Sequence, residues 1–134
     1  MARDIDPPSG GTQPPATAEL VDGEILHLTP LAHEISRRFR AEHPDEEERY
    51  GSAGYAWCVH DNLWLLAWAA EDRRIGGGHF AKNVRWLASL LRARDYPTTR
   101  LVRDLEIAAD VVGGAGEAGA ELAQTLLSGA AILR

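Results

Sequence analysis

Cys58, His60 and Asp61 stand close together in the run GYAWCVHDNLWLLAWAAE, residues 54–71. A thiol, an imidazole and a carboxylate can hold a metal, form a nucleophile and base, or touch a bound ligand. On a helix of about 100° per residue Cys58 and His60 diverge by roughly 200°, so they cannot chelate one ion together. Cys58 and Asp61 are about 60° apart, but the base that activates a thiol is ordinarily a histidine, not a carboxylate. What remains is a polar spot on an apolar helix. Asp61, Trp64 and Trp68 all fall within about 40° of Trp57, on one stripe. Asp61 then has two readings: an acceptor for indole N–H groups, which need a partner when buried, or a ligand contact. The ligand-binding candidates are Trp57, His60, Asp61, Trp64 and Trp68, and no residue set fits a metal or a catalytic group.

These side chains need a helix to hold them, and the rest of the chain must wrap it. The opposite side of the run carries Tyr55, Val59, Leu63, Leu66 and Ala70. A helix apolar nearly all round is a buried one, and this one falls short of the roughly 20 apolar residues needed to span a bilayer. Ser52 is expected to cap it, with Gly51 and Gly54 loosening the chain before it. Thr29-Pro30 predicts a helix start, with Leu31, Ile35 and Phe39 as its stripe, basic Arg37, Arg38 and Arg40 near its end, and His43-Pro44 as its stop. Asp45 to Glu48 are expected in a solvated loop or the charged first turn of a short helix. Asp72 to Gly78 are expected as a turn, whose three consecutive glycines break any continuous helix. Phe80, Val84, Leu87 and Leu91, widened by Trp86 and Leu90, predict a helix that ends before Pro97. Thr98 or Thr99 is expected to cap the next, whose face is Leu101, Leu105, Ala108 and Val112. A last helix carries Ala118, Leu122, Leu126 and Leu133, with a small-residue face of Ala115, Gly119, Gly129 and Ala130 that permits close packing, within the chain or onto a second subunit. Glu19 to Leu28 is expected to be a short turn of helix or an irregular strap, and residues 1–17, rich in Pro, Gly, Ser and Thr, to be disordered. The prediction is an all-α bundle of four to six helices around residues 54–71, in a single domain over 18–134.

The formal charge of −6 is unevenly spread: residues 1–72 sum to −9, 73–103 to +7 and 104–134 to −4. The basic stretch offers Lys82, Arg85, Arg92, Arg94, Arg100 and Arg103 as surface candidates. They suit either the acidic faces of the same fold or a row of phosphates. The acidic whole and a turn without glycine, RDYPTT, weigh against nucleic acid. The lone Cys58 among apolar neighbours fits a reduced, buried thiol and a cytoplasmic protein. No apolar run of signal-peptide length opens the chain, and none is long enough for a membrane. The three glycines at 76–78 lack the Lys-Ser or Lys-Thr of a phosphate loop, and Arg37 stands where a zinc protease motif beginning at His33 requires histidine.

The order Tyr50-Gly51, then WCVHDNLWLLAWA, then VRWLASLLRARDYP and LVRDLEIAADVV resembles the small all-helical domain that accompanies cobalamin-binding domains in bacterial regulatory and photoreceptor-like proteins. The likeness covers about residues 49–112. It implies a bundle that caps the upper face of a corrin ring, with Trp57, His60 and Trp64 facing the ring and cobalamin or another tetrapyrrole as candidate cofactor. In that group a following Rossmann-like domain supplies the lower ligand from an Asp-x-His-x-x-Gly motif, which this chain lacks. Glu42-His43 also lacks the Trp that light-sensing members carry ahead of their Glu-His pair across a gap of nine residues, since residue 32 is Ala32. The functional expectation is a non-catalytic regulatory or ligand-sensing module that self-associates or works with a protein partner. The alternatives are a nucleic-acid-associated regulator using the basic 73–103 helices, or a purely structural interaction domain.

Overall fold

The computed structural model describes residue 8 and residues 11–134. Among them run α1 (Leu28–Glu42), α2 (Asp45–Ile75), α3 (His79–Ala93), α4 (Thr98–Gly113) and α5 (Gly116–Leu133), preceded by two short strands, β1 (Thr17–Glu19) and β2 (Ile25–His27). The architecture is the expected all-α bundle. The ribbon replaces the short helical turn or irregular strap expected over Glu19 to Leu28. Its antiparallel register sets Thr17 opposite His27 and Glu19 opposite Ile25. Gly23, at φ 85°, makes the reversal, and its N–H donates to the Leu20 carbonyl at 2.9 Å. The expected disordered tail lies outside the described residues for 1–7, 9 and 10, and Thr17 at its end belongs to β1.

α1 starts at Leu28, one residue ahead of the Thr29-Pro30 signal, and has no side-chain cap. β2 runs straight into it, and the Leu28 N–H is taken by the Ala16 carbonyl at 2.8 Å. Pro30 still sits in the first turn, where no N–H partner is needed. Leu28, Ala32, Ile35 and Phe39 are buried, and Leu31 is only half-buried.

α2 is longer than expected at both ends: the acidic run Asp45 to Glu48 forms its first turn, and Asp72 to Ile75, expected in a turn, continue the helix to the glycines. Gly51, with φ 65° and ψ −159°, breaks it internally. That conformation is open to glycine and strained for other residues. Its carbonyl leaves the helical ladder and accepts from Arg40 Nη2 at 3.3 Å. Gly51, and not the expected Ser52, therefore takes the non-helical position ahead of the second segment, and Ser52 makes no side-chain capping hydrogen bond among the described residues.

The tryptophan stripe corrects the expectation of a helix wrapped all round. α2 buries Asn62, Leu65, Leu66, Ala69 and Ala70, whereas Trp57, Trp64 and Trp68 are half-buried. α3 faces that stripe with Leu87 and Leu90 across an open groove. α3 itself buries Phe80, Val84, Leu87 and Ala88. Trp86, expected to widen that core face, is 59% exposed. It lies about 140° around the helix from the centre of the buried stripe, on the solvent side.

α4 follows Pro97 with no side-chain cap, so neither Thr98 nor Thr99 caps it. It buries Leu101, Leu105, Ala108 and Val112 as expected, together with Ile107. The small residues of α5 are used within the chain. Gly129 lies under the Phe80 ring, where an added Cβ would come within 2.7 Å of the ring carbon, and Gly119 lies against α4. A Cβ on Gly119 would collide with the Val112 carbonyl oxygen and stand 2.8 Å from the Ala115 Cβ. Backbone cannot yield as a side-chain tip can. Gly119→Ala should therefore destabilise by about 1–3 kcal/mol despite alanine's better helix propensity. Urea unfolding measures this, and a variant as stable as the parent would show that the α4–α5 contact is looser than described.

Candidate functional site

The site begins with Asn62 on the buried face of α2. Its Nδ2 donates to Ser36 Oγ of α1 at 3.1 Å and to Asp104 Oδ1 of α4 at 3.2 Å, with Cys58 Sγ at 3.6 Å. Its own Oδ1 is buried and has no hydrogen-bond partner among the described residues. Asp104 is 7% exposed. Burial pushes its carboxyl up to about 7, against the pull of the Asn62 hydrogen bond and with the charges of Asp61 and Glu46 adding to the rise. Burial, and next the nearby Asp104, also push the Cys58 thiol far up. Cys58 is then a protonated thiol, not a nucleophile.

One wall comes from the first turn of α2. Glu46 is 5% exposed and pairs with Arg100 Nη1 at 2.5 Å, while Arg100 Nη2 reaches both Asp45 carboxylate oxygens at 2.9 and 3.1 Å. Arg100 and Asp104 are one turn apart on α4. The guanidinium nonetheless turns to α2 and leaves Asp104 without a cation. Tyr96, in the α3–α4 turn, has its phenol pushed far up by burial and by the Glu46 charge and hydrogen bond.

Above this floor lies a cavity of about 420 Å³ lined by α1, α2, α3 and α4, with Phe39, Leu65 and Leu101 among its apolar walls and Trp57, Tyr50 and Tyr96 among its aromatic ones. Asp104, Asn62 and Cys58 also line it. A second opening of about 410 Å³ runs along the tryptophan stripe. The two share Trp57, Asp61, Leu87 and Arg94, so a single partition separates them.

The five ligand-binding candidates all meet at that outer groove, joined by Trp86 from α3. Trp64 and Trp68 stack with centroids 5.9 Å apart, and Trp57 meets His60 edge-on at 5.0 Å. Asp61 Oδ1 lies 3.2 Å from His60 Nδ1. Asp61 therefore has a histidine partner on the stripe and also reaches the partition between the two cavities. The basic candidates divide. Arg100 is committed to Asp45 and Glu46, and Arg103 to Glu42 through two contacts of 2.8 Å. The Arg103 hydrogen bonds hold the Glu42 carboxyl below its ordinary range. Arg92 donates to Ser89 at 3.4 Å. Lys82 and Arg85 are exposed on α3 and, like Arg94, make no ion pair among the described residues. No group of three metal-ligating side chains occurs among the described residues.

The sequence did not single out Asp104, Glu46, Ser36 or Tyr96. Asp104 has one local signal, since a lone carboxylate flanks the stripe of Leu101, Leu105 and Ala108. Glu46 has none, because it is one of four consecutive acidic residues and the other three carry no such burial. Comparison with known proteins finds no family model, curated protein or solved structure that matches this chain, so its function is to be read from its own residues.

Proposed function

We propose that this chain is a non-catalytic, ligand-sensing helical module that binds a small molecule in the inner cavity and passes its presence to a protein partner. The observation that carries it is the cavity of about 420 Å³ with a sequestered Asp104–Asn62 floor. Such a volume, mostly apolar walls and a few convergent polar groups are what a small-molecule site requires. Cys58 is held protonated and no histidine is hydrogen-bonded to it among the described residues, which favours binding over nucleophilic chemistry. α3 is the element suited to carry the signal. Its Leu87 and Leu91 line the cavity, while Trp86, Lys82 and Arg85 face outward. A fragment screen read by melting temperature and by the indole NMR signals tests this. Binders should raise the melting temperature and shift the Trp57 indole, and a screen in which all shifts fall away from the cavity would remove the proposal.

Trp86→Ala should change stability by no more than about 0.5 kcal/mol, as expected for an exposed side chain, and should leave binding in the cavity intact while weakening the partner contact. A loss of several kcal/mol in urea unfolding would instead make Trp86 part of the core.

A second reading is favoured by the outer groove, where Trp57, His60, Trp64, Trp68 and Trp86 present broad aromatic surface. There the chain would cover the face of a flat macrocycle such as a corrin, as its cap-like resemblance implies, alongside a partner supplying the other face. A visible absorption spectrum of the protein with added cobalamin tests it, and a spectrum identical to free cobalamin with unquenched tryptophan fluorescence counts against it.

A further inference from the structure

We propose that the inner cavity selects a ligand whose buried end is a cation with several N–H donors, an amine or amidine, carried on a flat apolar body. This rests on the cavity being a ligand site, as above, and adds its chemical class. Among the described residues two buried side-chain polar atoms lack partners: Asn62 Oδ1, an acceptor in the cavity lining, and Arg40 Nε, on a side chain that does not line it. Asp104 receives one hydrogen bond, from Asn62 Nδ2, although an ionised carboxylate can accept about four. Asn62 Oδ1 beside it receives none and is buried. Buried acceptors in folded proteins are ordinarily matched by donors, and an amidinium or ammonium brings two or three in one group.

The charge around the floor points the same way. Glu46, Asp61 and Asp104 line the cavity, against Arg94 and Arg100. Arg100 and Glu46 are spent on each other, and Arg100 also on Asp45, which leaves Asp61 and Asp104 against the exposed Arg94. An anionic ligand would have to place its charge against Asp104, which has no paired cation among the described residues. A cationic one would meet the carboxylate through charge-assisted hydrogen bonds, which are about twice as strong as neutral ones. Trp57, Tyr50 and Tyr96 supply aromatic faces that suit both a flat body and a positive charge.

Three probes of similar size separate the possibilities: benzamidine, benzoate and toluene, titrated into the full chain at pH 8 by calorimetry with NMR to locate binding. Benzamidine should bind at least about tenfold more tightly than benzoate, shift the Trp57 indole and lose about tenfold or more in Asp104→Asn. Toluene binding should be unchanged in that variant, which shows its cavity intact. Equal or tighter binding of benzoate, or Asp104→Asn binding benzamidine as the parent does, overturns the cation preference. Toluene binding in the cavity without benzamidine preference overturns it while leaving the ligand site in place. Failure of all three to reach the cavity overturns both.

Discussion

Asp104→Asn should make the folded chain more stable at pH 8, by up to about 4 kcal/mol, and leave it nearly unchanged at pH 4. In the folded chain burial raises the Asp104 carboxyl from 3.8 to about 7. Between those values the folded state keeps its proton and the unfolded chain has released it. Unfolding then releases a proton, so the contribution of this group to stability is full below pH 4, falls as pH rises, and is lost above about 7. Asparagine has nearly the shape of the protonated acid, retains an oxygen for Asn62 Nδ2, and has no proton to lose. Denaturant unfolding of parent and variant at pH 4, 6 and 8 measures the difference. A gap that grows with pH is the expected result; a constant gap, or a variant weaker at pH 8, would mean that Asp104 is solvated in the folded state. A residue that weakens the fold at neutral pH fits a site shaped for binding more than one shaped for stability.

Removing Arg100 should have the opposite and comparably large effect. Glu46 is sequestered in the wall with Arg100 as its cation at 2.5 Å, and Arg100 is itself only 21% exposed in its side chain. Arg100→Ala leaves a buried carboxylate without its counter-charge, which costs about 3–5 kcal/mol. It also releases Asp45, so the first turn of α2, already separated by the break at Gly51, loses its anchor to α4. Hydrogen exchange should speed up over residues 45–50 before the rest of α2. Adding Glu46→Gln to the same chain should recover much of the loss, because a neutral amide is far less costly to bury than an unpaired charge. If Arg100→Ala lost less than about 1 kcal/mol in urea unfolding, the pair would behave as a surface ion pair and not as a buried one.

Both variants act on a site assembled from distant parts of the chain. Ser36, Asn62 and Asp104 come from three helices, and Glu46 meets Arg100 across 54 residues of sequence. Gly51 makes this possible: by breaking α2 it lets the acidic first turn lie against α4 while the second segment keeps Asn62 in the core. The same helix carries Trp57 to the partition between the two cavities, so any ligand in the inner one is next to an indole.

The residues by themselves determined the helices, because an apolar side chain every three or four positions has only one way to reach a common core. Leu101, Leu105, Ala108 and Val112, or Phe80, Val84 and Leu87, declare their helices and their buried faces without reference to anything else in the chain. The glycine and proline punctuation between them was equally local. What the tertiary structure alone decided is which polar residues go inside. Four consecutive acids carry no mark that Glu46 enters and Glu47 and Glu48 do not, since that depends on the backbone angles at one glycine and on an arginine 54 residues away. Trp86 and the tryptophan stripe were placed in the core on hydrophobicity, but burial of a large side chain depends on how closely a neighbouring helix lies, and α3 stands off to leave a groove. Periodicity reports which side of a helix is apolar. It does not report the gap to the next helix, and in this protein the gaps are where Asp104 and the tryptophans meet open space.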